Sequence, residues 1–360
     1  MLGLLLAAPA VGRAQPSAAP GSAPSAADSA VARLTEEVAQ LRRSLLRFVE
    51  RDGHDKDELS RQIDNLLLFQ RLGDLAEIDI GVFTGPPPHR RVVSDNPGAN
   101  NPLKIRAYVF IPRALDRGRP QPLIVLPHGG IHANFESGTV NVLRELLLQG
   151  YTVVAPDYRG STGYGQGFYQ LIDYGGLETE DTYAARNWAL ERYPFLDATR
   201  VGLVGWSHGG LHALMNVFDH PDAYAAAYAG VPVSDLIYRL QYKGPGYEAL
   251  FAAPYHVGRT VAQDSAEYRR RSPAYQVERY RGTPLLIHSN TTDEDVYATE
   301  VQRLVDALRR AGKTGWSFKR YEAAPGGHAF NRLDTALARE SRREIWRFLA
   351  PHLKPERPMQ

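Results

Sequence analysis

From Leu103 onward the chain repeats one unit, a short apolar run followed by a longer amphipathic stretch and a turn. The runs "PLIVLP" (122–127), "YTVVAP" (151–156), "RVGLVG" (200–205), "YAAAYAG" (224–230) and "PLLIHS" (284–289) are apolar at nearly every position, not at alternate ones. Short runs of that kind suit strands buried on both faces. Between them lie helical patterns: "VNVLRELLLQG" closed by Gly150, Glu178 to Arg192, "LHALMNVF" and Thr299 to Ala311. "LKIRAYVFIP" (103–112) alternates like a strand, "WSFKRYE" is the last strand, and Ala336 to Leu349 is the closing helix. Strands alternating with helices give a mostly parallel sheet covered on both faces. Ligands of such folds bind at the carboxyl ends of the strands, so the chemistry is expected in the loops that follow them.

The region before this domain has a different character. Leu2 to Val11 is an apolar run too short to span a bilayer. Small residues follow at Gly12-Arg13-Ala14, so residues 1–14 are read as a signal peptide cleaved before Gln15, although a positive n-region is missing. That reading makes the protein secreted or periplasmic. Residues 15–30 have the Ala, Ser, Pro and Gly content of a disordered linker. Residues 31–75 are read as a helical segment. Val31, Leu34, Val38, Leu41, Leu45 and Phe48 make a 3-4-3-4-3 seam, Asp52-Gly53 ends the first helix, and a second runs from Leu59 to Leu72. The pair forms either a helical hairpin packed on the main domain or a short coiled coil joining two copies of the chain. "FTGPPPHRRVVSDNPGANNP" reads as a loop.

Composition excludes several classes. A net charge of +2 gives no basic face for a nucleic acid. The absence of cysteine removes disulfides, thiolate nucleophiles and Cys-ligated metals. No metal-ligand motif or cofactor signature is evident, and no stable membrane span.

Four motifs fall in the loops after strands. Gly205-Trp206-Ser207-His208-Gly209 has the form G-x-S-x-G between a strand and a helix, which is the context of a nucleophile elbow. Ser207 needs a base to take its proton. His328, in "YEAAPGGHAFNR" after the last strand, is the candidate. The base needs an acid to orient it, and Asp293, Glu294 and Asp295 follow "PLLIHS". An oxyanion hole needs two donors. One is the His208 N–H, and the other comes from His128-Gly129-Gly130 after an early strand. The order Ser, acid, His is that of an α/β-hydrolase fold.

These motifs carry a resemblance over roughly residues 100–355. "PHGGIH", "APDYRGSTGYGQGF", "GWSHGG", "DEDV" and "GGHAF" resemble the catalytic domain of the prolyl oligopeptidase family of serine peptidases, especially its acylaminoacyl-peptidase-like and dipeptidyl-peptidase-like branches. The resemblance implies a catalytic Asp three residues before a Val. Val296 therefore selects Asp293, giving a Ser207, Asp293, His328 triad. It also implies oxyanion donation by the backbone of the "HGG" segment, Gly129 or Gly130, and an ion-paired Arg159 that orders its loop. The acid loop departs from the family pattern by reading His288-Ser289 where His-Gly is usual, and the family's β-propeller has no counterpart in these residues.

The α/β-hydrolase domain is thus expected over residues 76–355, with 233–280 as a cap insertion. Trp206, Tyr247 and Phe251 are candidate substrate contacts, the last two either lining an apolar pocket or packing within the insertion. The expected function is peptide-bond hydrolysis through an acyl-enzyme, with peptides or small esters as substrates. A carboxylesterase using the same triad is the alternative within the class. A hydrolase fold used only for binding is the alternative outside it.

Overall fold

The computed structural model describes residues 26–90, 98 and 100–359. It divides into two units, Met1–Glu50 and Arg51–Gln360. The expected signal peptide (1–14) and most of the expected linker lie outside the described residues, as does most of residues 91–99.

Helix α1 spans Ala26–Leu72. It begins inside the segment expected to be linker, and Asp52-Gly53 does not end it. An interior glycine weakens a helix by about 1 kcal/mol without breaking it, unlike proline. Here Asp52 also pairs with Lys56 one turn on, at 2.6 Å. The hairpin is therefore not formed. In the first unit the seam Val31, Leu34, Val38, Leu41, Leu45 and Phe48 is exposed.

The second unit is built on one eight-stranded sheet. Its strands are β1 (Ala76–Gly85), β2 (Leu103–Pro112), β3 (Gln121–Val125), β4 (Thr152–Asp157), β5 (Leu196–Trp206), β6 (Ala226–Gly230), β7 (Leu285–Asn290) and β8 (Trp316–Tyr321). Their order is β1-β2-β4-β3-β5-β6-β7-β8. β1 pairs antiparallel with β2, and β2 antiparallel with β4. All remaining pairs are parallel. β1 was not expected, and Phe83–Gly85 of the expected loop belong to it.

The helices are α2 (Val140–Gln149), α3 (Gly165–Tyr169), α4 (Leu177–Arg192), α5 (His208–Asp219), α6 (Leu236–Lys243), α7 (Pro245–Ala252), α8 (Ser265–Arg270), α9 (Ala298–Arg310) and α10 (Ala336–Leu353). Successive strand residues feed opposite faces of the sheet. Leu123, Val125, Val154, Val201 and Leu203 pack on the side of α4, α5 and α9. Ile124, Val153, Ala155 and Val204 pack on the side of α2 and α10, with Leu68 and Leu72. Burial on both faces is why these strands read as continuous apolar runs.

This topology sets the site. β3 lies directly beside β5, with Val125 opposite Leu203. The turns leaving these two strands therefore meet at the carboxyl edge. β7 and β8 are also neighbours, with Asn290 opposite Tyr321, which brings the acid and histidine loops together.

Candidate active site

Ser207 leaves the end of β5 at φ 59°, ψ −119°, a conformation rare for a residue with a side chain. Neighbours hold it there. Its N–H donates to Gly230 O at 2.9 Å, and its carbonyl accepts from Leu211 and Val233. The flanking glycines are required by close approach: a Cβ on Gly205 would lie 2.0 Å from Gly209 O, and one on Gly209 would lie 2.4 Å from Pro127 O. The helix α5 starts immediately after the serine, so its free N–H groups face the space above it.

Asp293 and His328 are paired, with Nδ1 to Oδ2 at 2.7 Å. The other Asp293 oxygen accepts the N–H groups of Asp295 and Val296, both at 2.8 Å. That arrangement gives the valine three residues on a physical role. It donates a backbone hydrogen bond that fixes the carboxylate. His328 sits in a short turn entered through Gly326 and Gly327, at φ 102° and 52°. Asn290, at the end of β7, ties the two loops together. Its Nδ2 donates to Ala324 O and Gly327 O at 3.0 Å each. No sequence motif pointed to Asn290.

The other His328 nitrogen, Nε2, lies 3.6 Å from Asp295 Oδ2. No hydrogen bond joins it to Ser207 Oγ in this structure, although Ser207 and His328 line one cavity of about 580 Å³. Catalytic hydrogen bonds are often long before substrate binds. Burial pushes the Asp295 carboxyl up, but a hydrogen bond from Lys243 and the charges of Arg239 and His328 hold it below its ordinary value.

The Gly129 backbone runs against the elbow, where a Cβ would lie 3.2 Å from Trp206 O. Gly130 has φ 81°. None of the Gly129, Gly130 and His208 N–H groups donates to another protein group among the described residues. The His128 ring is turned into the protein, where Nε2 meets Ser161 Oγ at 2.9 Å and Tyr158 stacks on it at 4.1 Å. The Tyr158 hydroxyl lies within hydrogen-bonding distance of His128 O and Gly130 O. The backbone N–H groups of Gly129, Gly130 and His208 are thus left available among the described residues.

Arg159 forms the expected ion pair, with Asp181 as its partner and both side chains fully buried. Trp206 lines the cavity and donates from Nε1 to Asn331 at 3.0 Å. Tyr247 and Phe251 are not among the residues lining this cavity, which corrects their expected role. Phe251 is fully buried against Tyr174 and His256, and Tyr247 packs on Phe251 and accepts from Arg239. Their aromatic surface is spent holding the 233–280 insertion together. Glu136, Phe135 and Arg332 do line the cavity and were not anticipated. Their positions depend on how loops fold back, which carries no local sequence signal.

A serine at a strained elbow, an aspartate-bound histidine on the same cavity and free backbone donors beside it have the arrangement that a hydrolase-type site on an α/β-hydrolase sheet requires. Residues 139–356 match the model of the prolyl oligopeptidase family, and the chain belongs to that family. It is 30% identical over 214 residues to human dipeptidyl peptidase 8, covering 57% of this chain and 23% of that protein. It is 28% identical over 221 residues to the acylamino-acid-releasing enzyme of Arabidopsis thaliana, covering 60% of this chain and 28% of that one. The chain therefore spans under a third of these relatives. A solved puromycin hydrolase superposes with a TM-score of 0.63 at 22% identity, over 78% of this chain and 40% of the other. An acylaminoacyl peptidase bound to a chloromethyl ketone gives 0.61 at 18%, over 79% and 43%. These two likenesses establish the shared fold.

Proposed function

We propose that this chain is a serine peptidase that cleaves peptide bonds through an acyl-enzyme. The observation that carries the reading is His328, fixed by Asp293, opening on the same cavity as Ser207. Ser207 Oγ attacks the carbonyl carbon while His328 Nε2 accepts its proton. The Gly129 or Gly130 N–H and the His208 N–H stabilise the oxyanion, and His328 then passes the proton to the leaving amine. Water, deprotonated by the same imidazole, releases the acyl group. Asp293 holds the tautomer that leaves Nε2 free to accept.

A fluorophosphonate probe tests this. The wild-type chain becomes labelled at Ser207 and Ser207→Ala does not. An unlabelled, folded wild type would leave only the non-catalytic binding reading. Paired peptide and p-nitrophenyl ester substrates separate peptidase from carboxylesterase, since turnover of esters alone favours the latter.

Two further parts of the reading rest on the N-terminal region. The apolar run Leu2 to Val11 and the small residues before Gln15 support a secreted or periplasmic protein, and sequencing the mature N-terminus checks it. The exposed heptad-spaced seam of α1 supports pairing of two copies through a coiled coil.

A further inference from the structure

Three buried side chains behind the nucleophile play no part in the chemistry above. His208 and His212 stand four residues apart on α5, so their side chains share one face of the helix. Glu178 faces them from the first turn of α4. All three are buried to within 1% exposure, and none lines the cavity that holds Ser207 and His328.

Their polar atoms converge. His208 Nε2 is 3.5 Å from Glu178 Oε1. One ligand atom from each of the three residues lies within 4.8 Å of the other two. Two ligands held at about 2.0–2.1 Å in a tetrahedral shell sit roughly 3.4 Å apart, which the first spacing matches. The His212 ring is oriented from behind by Thr182 Oγ1, 2.7 Å from Nδ1. An outer partner of this kind is what orients a metal-bound imidazole. Glu178 accepts the N–H groups of Gly175 and Gly176, which leaves lone pairs on its carboxylate unused.

A second observation is independent of these distances. Both ring nitrogens of His208, and Nε2 of His212, have no hydrogen-bond partner among the described residues. Buried polar atoms are nearly always paired, and unpartnered nitrogens in two adjacent imidazoles call for a missing partner; one ion takes up one nitrogen of each ring. A plain aromatic cluster does not account for them, because two neutral imidazoles and a carboxylate are a poor substitute for apolar rings.

We propose that Glu178, His208 and His212 bind a divalent transition-metal ion, with zinc as the best match to the ligand set. Two histidines and one glutamate, with a solvent molecule in the fourth position, form a recurrent zinc shell. The ion joins α4 to the first turn of α5. Its role is structural. It anchors the helix whose first N–H faces the oxyanion, and it touches no reacting atom.

The test uses the full chain expressed in zinc-supplemented medium, passed over a weak chelating resin and analysed by mass spectrometry for metals. About one zinc per chain is expected, with loss of the metal in His212→Gln and retention in His256→Gln, a buried histidine outside the set. A strong chelator is expected to lower the thermal midpoint of the wild type and leave that of His212→Gln unchanged. Should His212→Gln fail to fold, expression of the wild type in cobalt medium decides, since a tetrahedral cobalt site absorbs intensely in the visible. A wild type with neither zinc nor the cobalt spectrum overturns the proposal. So does zinc that His212→Gln retains in full.

Discussion

Replacing Asp181 with alanine tests how the fold holds the active-site loops. Among the described residues Asp181 is the one carboxylate paired with Arg159, and both side chains are at 0% exposure. It accepts from Arg159 Nη2 at 2.6 Å, from Nε at 2.7 Å and from the Arg159 N–H at 3.0 Å. The variant leaves a guanidinium buried with only the Pro86 and Pro87 carbonyls. Removing one partner of a buried pair costs about 3–5 kcal/mol, most of it the penalty of the stranded charge. The two surviving carbonyl contacts place the expected loss toward the lower end, about 3 kcal/mol. Urea denaturation read by circular dichroism measures it. The loss has a functional echo. Ser161, two residues on, hydrogen-bonds His128 beside Gly129, so kcat/KM falls even where the variant stays folded. Arg159→Met combined with Asp181→Leu removes both charges and regains most of the stability. A single variant within about 1 kcal/mol of wild type, or a double variant no better than the single, would refute the account.

His288 supplies a pH test. Burial pushes its imidazole down to about 4, against about 6.5 in an unfolded chain. Its folded value is depressed, so its contribution is present above pH 6.5 and is lost as pH falls toward 4. Between pH 7.5 and 5 the wild type is expected to lose about 2 kcal/mol more stability than His288→Gln, measured by urea unfolding at each pH; equal losses would contradict it. Leu34→Glu with Leu41→Glu places charge in the exposed seam of α1. Light scattering is expected to give twice the chain mass for wild type and the single mass for the variant, and a monomeric wild type would end the coiled-coil reading.

Much of the sheet was legible because its strands are buried twice. Ile124 and Val125 serve opposite faces, as do Leu203 and Val204, so both faces wrote themselves into the sequence. The catalytic loops were legible for a different reason. Close approach and positive φ leave few residue choices at Gly205, Gly209, Gly326 and Gly327, and these appear as motifs. β1 was missed because its pattern is broken. Gly81 sits where a Cβ would meet the Trp188 ring at 2.3 Å, so a residue that reads as a strand-breaker is a contact made with a helix more than a hundred positions away. The end of the first helix was misread because glycine only weakens a helix. The two roles open to Phe251 were not separable locally, because an aromatic side chain looks the same whether it faces a cavity or His256. The His208 and His212 spacing was not read as a pair, and Glu178 joins it only through the packing of α4 on α5.

The unusual backbone at Ser207 has a wider reach than its own position. Left to itself a serine would relax out of that conformation, and it stays because backbone hydrogen bonds to Gly230 and from Val233 hold it from the stretch after β6, while Pro127, from a second stretch, crowds Gly209 two residues on. The aim of the nucleophile is therefore a shared property of remote segments. Substitutions at those distant places are expected to behave like active-site lesions, although Gly230 and Val233 do not line the cavity.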